Sequence, residues 1–336
     1  MKSIISASLV FFSTVAPTLA ATYRLTDNIV GSGFYNAFDW QAIADPTHGR
    51  VNYVDQNTSR NQNLTFASGD TFILRADYRS TLNPNGAGRN SVRIRSKKTY
   101  TTHVAVFNIR HMPQGCGTWP AVWETKESNW PNGGETDILE GVNDQSPNAA
   151  TLHTTSGCTM PASRSQTGYP GQNDCNVAVN SNTGCNVKFP STNSYGPSFN
   201  SNGGGWYAIE RTTTHISVWF WPRNSNVPSD VRDGSSTTNP DNWGTPTAYF
   251  PNNSCNFPQF FAEHNIIINL TLCGDWAGSV YGQSGCPGSC VGKEIFFILP
   301  GFSVITNPHR IDYVNNNPGA FQNAYFDFAS IRVYTP

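Results

Sequence analysis

Apolar residues in this chain recur in short alternating runs and nowhere keep a helical period through three turns. The segments 71–76, 91–94, 101–109, 150–155, 216–221, 265–272 and 325–334 all read as strands, separated by stretches rich in glycine, proline, asparagine and serine. Only Asp39–Ala44 has the makings of a turn of helix. Sheet must therefore supply the core. A sheet hides its apolar face against a second sheet, so the expected fold class is all-β, a sandwich of two curved antiparallel sheets.

The chain has 336 residues. It opens with Met1-Lys2-Ser3, an apolar run from Ile4 to Val15, and Thr18-Leu19-Ala20. A basic start, a short apolar stretch and a small-residue end make a secretory signal peptide over 1–20, with cleavage after Ala20. The run is too short to span a bilayer, and polar residues interrupt every later one. The mature chain is thus expected to be secreted, extracellular and monomeric, with no membrane anchor. Residues 21–336, roughly 315 in number, fit one domain, since all-β units pass 200 residues. Asn180–Gly205, with cysteines flanking and entering it, reads as a loop held by disulfides, and Pro222–Asn242 as a similar loop.

Eight cysteines (Cys116, Cys158, Cys175, Cys185, Cys255, Cys273, Cys286 and Cys290) are an even number in a secreted chain, so disulfides are expected. About a hundred pairings are open to eight cysteines, and the sequence does not choose among them. Cys286-x-x-x-Cys290 hints at zinc but lacks a second ligand pair nearby. Sequons stand at Asn57, Asn63, Asn252 and Asn269. Asn57 and Asn63 fall in a polar loop open to glycans, whereas Asn269 lies inside the apolar run Ile266–Leu270 and is expected to be folded away. A net charge of −1 offers no basic face for nucleic acid and no field for an acidic polymer. A neutral partner suits this surface.

Charge is scarce, at 13% of residues, yet Glu135-Thr136-Asp137-Ile138-Leu139-Glu140 packs three carboxylates into six positions. Crowded acids repel one another and lose hydration in a cleft, a cost that proteins accept where chemistry needs it. On a strand Glu135 and Asp137 share a face, but Glu140, five residues from Glu135, points away. One extra residue near Ile138-Leu139, a β-bulge, restores it. The two glutamates would then stand roughly 13 Å apart at Cα. Leaning side chains would narrow the carboxyl gap to roughly 5 Å, which suits a glycosidase that retains anomeric configuration, whereas inversion needs roughly 6.5–9.5 Å. A solvated strand edge is the competing reading, and the flanking Trp130, Ile138 and Leu139 speak against it.

Trp119 and Trp123 sit four apart in a strand-like stretch, hence on one face, and Trp130 just precedes the acids. Indole rings stack on the apolar faces of sugars. Trp40 reads as structural, while Trp206, Trp219, Trp221 and Trp243 carry no assignment.

Together, Glu-x-Asp-x-x-Glu, Gly117-Thr118-Trp119-Pro120-Ala121-Val122-Trp123, Leu152-His153-Thr154-Thr155, the run Asn269–Gly278 and the opening Gly31-Ser32-Gly33-Phe34 resemble glycoside hydrolase family 16. The likeness is to its fungal laminarinase-type branch, the endo-1,3(4)-β-glucanases, and covers nearly the whole mature chain. The lichenase branch, with Glu-x-Asp-x-Glu, lacks the inserted residue. The resemblance implies a β-jelly-roll sandwich with a long concave cleft for β-glucan. It implies Glu135 as nucleophile, Glu140 as general acid/base and Asp137 as the carboxylate assisting them. It places Trp119, Trp123, Trp130 and Trp276 near the cleft and gives His153 a hydrogen-bonding role there. Arg93 matches a position that contacts sugar hydroxyls, with a surface salt bridge equally open. No cofactor is required, although some relatives bind calcium on a sandwich face. Two rivals remain: a transglycosylase, which passes the same covalent intermediate to a sugar, and a non-catalytic glucan-binding lectin, which would not need paired glutamates. A serine hydrolase is disfavoured, because no Gly-x-Ser-x-Gly occurs.

Overall fold

Alternation along the strands sorts side chains onto two faces, and two large sheets bury their apolar faces against each other. The computed structural model describes residues 22–291 and 312–336, so the expected signal peptide lies outside the described residues. Among these residues the larger sheet has nine strands, with Tyr23–Ile29, Tyr325–Thr335, His103–His111, Gly205–Arg211, His215–Pro222 and Ala248–Pro251 side by side. The smaller has eight, in the order Tyr169–Pro170, Cys185–Lys188, Ala149–His153, Glu135–Glu140, Thr118–Thr125, Asn265–Leu272, Arg93–Ser96 and Phe38–Trp40. Pairing within both sheets is antiparallel, and the architecture is the jelly-roll sandwich that the strand pattern and the resemblance led one to expect. No described helix is long and apolar enough to cross a membrane.

Between the sheets Phe72, Phe107, Ile138, Leu139, Leu152, Ile266, Ile268 and Phe328 are fully buried in one cluster. Each such side chain contributes about 1.5–3 kcal/mol of burial. A second cluster forms on the outer face of the larger sheet. There Val104, Val106, Trp206, Trp219, Trp243 and Tyr334 are packed with Val227 and Val231 from the 222–242 loop. Trp219 and Trp221 both meet Trp243 edge-on, at 5.2 and 5.6 Å between ring centroids. The four unassigned tryptophans are thus core residues of this outer layer. Trp40 is structural as expected, stacked on Tyr35 with centroids 5.5 Å apart.

Several local expectations need correction. Asp39–Ala44 is not helical: Phe38–Trp40 pairs with Arg93–Ser96, and the helical turn falls earlier, at Phe34–Ala37, where Phe34 stacks on Phe72. The run 91–94 is divided between Arg89–Ser91, which pairs with Val51–Tyr53, and Arg93–Ser96 in the smaller sheet. The 180–205 loop contains a strand, Cys185–Lys188, and a short helix, Gly196–Ser201. Asn57 lies on the short helix Gln56–Asn61, exposed, not in a loop.

All eight cysteines are paired, as Cys116–Cys286, Cys158–Cys255, Cys175–Cys185 and Cys273–Cys290. This removes the zinc alternative. Each bridge typically contributes about 2–4 kcal/mol.

Gly134, at the mouth of the Glu135–Glu140 strand, has φ 75°, and a Cβ there would lie 2.6 Å from the Phe260 carbonyl oxygen. Gly134→Ala combines a left-handed backbone with a clash against main chain. It should destabilise the fold by about 2–4 kcal/mol in urea unfolding, and an unchanged midpoint would show that the segment relaxes freely.

Candidate active site

The acid-bearing strand is paired on both sides. Against Thr118–Thr125, Asp137 faces Trp123 and Leu139 faces Val122, so Ile138 is one residue too many on its strand. This is the bulge that the acid spacing required. Ile138 and Leu139 both turn into the core, fully buried, and Glu140 returns to the face of Glu135 and Asp137. Directly opposed residues share a face. Glu135 faces His153, Asp137 faces Thr151, and Glu140 faces Ala121, which in turn faces Asn269 and then Arg93. All these side chains therefore lie on the outer face of the smaller sheet.

The indole donors settle which acid each tryptophan serves. Trp130 Nε1 donates to Glu135 Oε2 at 2.7 Å, and Trp119 Nε1 donates to Glu140 Oε1 at 2.8 Å. Trp276 stands edge-on to Trp119, with centroids 5.6 Å apart. Trp130 and Trp276 are exposed, at 43% and 38%, whereas most large apolar side chains are not. Trp123 donates instead to Asn269 Oδ1 at 2.8 Å, and Asn269 Nδ2 reaches the Tyr53 hydroxyl at 3.4 Å. Asn269 is buried, as its place in an apolar run foretold, and its amide is committed to orienting Trp123.

His153 and Arg93 are both buried. His153 Nε2 is 3.3 Å from Asp137 Oδ2, and its Nδ1 is 2.9 Å from Asn182 Oδ1. The guanidinium of Arg93 lies 5.0 Å from the Trp123 ring centroid. Its Nε donates to Gln41 at 2.7 Å and its Nη2 to Glu127 at 2.7 Å. Arg93 thus forms a salt bridge with the partly buried Glu127 beneath an indole, so the salt-bridge reading is met, though on a buried guanidinium and not at the open surface. Burial favours the neutral form of Glu127, but Arg93, Gln41 and Arg95 together hold its carboxyl below the usual range. Asn182, Gln41 and Glu127 gave no signal in the sequence, since each meets its partner through strand pairings or loops distant in the chain.

Burial and the neighbouring Asp137 push Glu135 up to about 8, against the pull of His153 and the Trp130 donor. The same two causes push Glu140 up to about 8, opposed by the Trp119 donor and His153. Burial alone would lower His153, but Asp137, Glu135 and Glu140 outweigh it and raise it to about 9. At neutral pH His153 is therefore a cation with both ring nitrogens protonated, and Nδ1 donates to Asn182. Donor atoms of Glu135, Asp137 and His153 lie within 4.8 Å of one another, as a metal site would need. A metal there would have to displace the His153 proton. Glu135, Asp137 and Glu140 also titrate as a coupled set with this imidazole beside them.

Glu135 and Glu140 stand on one face with Asp137 between them in sequence, an arrangement in which one carboxyl can deliver a proton while the other, once ionised, attacks. Comparison with known proteins agrees in kind. A family model described as "XgeA-like, catalytic GH16 domain" matches residues 38–334. A probable endo-1,3(4)-β-glucanase of Aspergillus fumigatus is 40% identical over 336 residues, covering 99% of this chain but 48% of that protein. A probable glycosidase of Schizosaccharomyces pombe is 41% identical, over 94% of this chain and 70% of that one. The chain thus spans about half the length of the Aspergillus relatives it matches. Among solved structures, laminarinase 16A of Phanerochaete chrysosporium, seen with β-glucans in donor and acceptor sites, is 64% identical. Its TM-score is 0.87, with 94% of this chain and 100% of that chain covered. An elongating family 16 β-1,3-glucosyltransferase is 36% identical, with TM-score 0.82 over 93% of this chain and 100% of that one.

Proposed function

The chain belongs to glycoside hydrolase family 16, and on that premise we propose that it is a secreted, retaining endo-β-glucanase. Its substrates would be laminarin-type glucans, cut at internal β-1,3 and mixed β-1,3/1,4 bonds. The observation that carries this reading is the bulge at Ile138, which gives Glu140 the same face as Glu135.

In this mechanism Glu140, kept protonated by its neighbours, donates to the glycosidic oxygen as the carboxylate of Glu135 attacks the anomeric carbon. The C–O bond to the leaving sugar breaks and a glycosyl ester forms. Neutralising Glu135 lowers the proton affinity of Glu140, which then takes a proton from water as the water opens the ester. Asp137 and the His153 cation hold the local charge while the proton moves. Trp119, Trp123, Trp130 and Trp276 supply stacking faces, with Trp123 held by Asn269 and Arg93. Only side chains act, and no cofactor enters the scheme. Four disulfides support an oxidising, extracellular setting, and we infer a monomer there.

Product analysis on laminarin, barley β-glucan, agarose and carboxymethyl cellulose in parallel tests the substrate class. Release from the first two alone is expected, and release from agarose would overturn it. The first-formed anomer, read by proton NMR, should be β, and an α product would refute retention. The 36% identity to a glucosyltransferase favours one second reading, transfer to an acceptor sugar. Product sizing at low and high laminarin separates the two, since transfer gives products longer than the substrate as its concentration rises.

Trp119→Phe keeps an aromatic face but removes the donor to Glu140. The proton affinity of Glu140 should rise, moving the basic limb of the kcat/KM profile to higher pH, while the maximum falls about threefold to tenfold. An unmoved basic limb would show that Glu140 is not the group titrating there.

A further inference from the structure

A bulge leaves backbone groups without ladder partners, and here one side chain takes up both. Pairing between Glu135–Glu140 and Ala149–His153 runs through Glu135 with His153, Thr136 with Leu152 and Asp137 with Thr151, and stops. Continued in register, Glu140 would face Asn148. Asn148 is fully buried, and its carboxamide fills the break. Its Oδ1 accepts the Glu140 N–H at 2.9 Å, and its Nδ2 donates to the Ile138 carbonyl at 2.9 Å. The side chain thus acts as a peptide group would in a regular ladder, its two bonds bracketing Leu139 immediately after the extra residue.

Asn148 is itself anchored. Its N–H donates to Ser194 Oγ at 3.0 Å, and its carbonyl accepts the Phe189 N–H at 2.9 Å. Beyond the bulge the chain has little freedom, because the Tyr195 ring fills the space a Cβ on Gly141 would need, 2.6 Å away. Glu135 depends on none of this, since its own pairs with His153 and Thr125 lie in the regular part of the strand.

We propose that Asn148 is the positioning residue for Glu140: by holding the backbone before and after Leu139, on the edge opposite the Thr118–Thr125 strand, it fixes the twist that aims the acid at the glycosidic oxygen. The inference rests on the functional reading above. It separates two requirements of the first step. Bond formation by Glu135 survives loss of Asn148, whereas proton delivery by Glu140 to the departing oxygen does not. A substrate whose departing oxygen needs no proton should therefore be spared.

The test compares wild type, Asn148→Ala and the nearly isosteric Asn148→Asp on laminarin and on 2,4-dinitrophenyl β-laminaribioside, with rates normalised to folded protein by near-ultraviolet circular dichroism. Asn148→Ala should lose about 10²-fold in kcat on laminarin, as a misplaced catalytic group does, with KM within about threefold. On the aryl substrate its first-turnover burst of dinitrophenolate, which needs no acid and precedes ester hydrolysis, should keep a rate within about threefold of wild type. Asn148→Asp keeps the acceptor and loses the donor, so it should show a smaller loss of the same pattern. Equal losses on both substrates, or no loss on laminarin, would overturn the role. Wild type inactive on both substrates would instead overturn the functional reading, and this role with it. In wild type the Glu140 amide should also exchange slowly with deuterium; rapid exchange counts against the bond whether or not the variants fold.

Discussion

Glu135→Gln is expected to lower laminarin turnover by about 10⁴-fold or more while leaving laminarin affinity within about threefold of wild type. Glutamine has the shape of glutamate and can still accept from Trp130 Nε1 at the 2.7 Å contact. It cannot form the glycosyl ester. Binding rests on the tryptophan faces, which the exchange leaves in place. Turnover near wild type, measured on protein purified free of endogenous glucanase, would remove Glu135 from the nucleophile position.

The same substitution makes a stability prediction with a definite sign. Glu135 and Glu140 are raised from 4.5 to about 8, and His153 from 6.5 to about 9. A group with a raised folded value binds more protons folded than unfolded across that window. Stability should therefore fall as pH rises from about 4.5 towards 9, with the carboxyls acting first and His153 over the upper part. Glu135→Gln removes one carboxyl and lowers the repulsion on Glu140. Its thermal midpoint should exceed that of wild type at pH 8 and converge with it near pH 4. A variant less stable than wild type at pH 8 would mean that the buried charges are better compensated than their neighbours indicate.

The parts of the fold legible in the sequence were those set by local alternation. The Asn265–Leu272 strand coincides with its apolar run, and the bulge followed from requiring three acids on one face of a period-two ribbon. Contacts made by register were not legible. Asn148 is an asparagine between a proline and two alanines, and nothing local marks it as the partner of Glu140. For Arg93 a sugar contact and a salt bridge read equally well until register decides its partners: Phe38–Trp40 pairs beside it and brings Gln41 within reach, and Glu127 comes from beyond the end of Thr118–Thr125. The helical turn expected at Asp39–Ala44 failed for the same reason, because that short edge strand is held by its neighbour and not by its own composition. Four tryptophans went unassigned because strand alternation gives two faces without saying which one meets the other sheet.

Glu140→Ala probes the other half of the proposed chemistry and should separate substrates by leaving group. Without the acid, laminarin cleavage should fall about 10³-fold, in the range that general acid catalysis contributes. Dinitrophenyl glycosides should still form the glycosyl ester, because dinitrophenolate departs unprotonated, and the ester should then accumulate for want of a base. The truncation also removes the acceptor of the Trp119 donor and opens space beside the anomeric carbon. A small anion such as azide can enter there, needs no base, and should restore turnover on the aryl substrate with β-glycosyl azide as product. An α-glycosyl azide would contradict the covalent intermediate on Glu135. No rescue, with laminarin and aryl substrate equally impaired, would mean that Glu140 does more than move a proton. Asn148→Ala should show the same split between substrates but no azide rescue, since its Glu140 carboxylate remains in the cleft to repel the anion. The two variants together thus distinguish an acid that is absent from one that is present and misdirected.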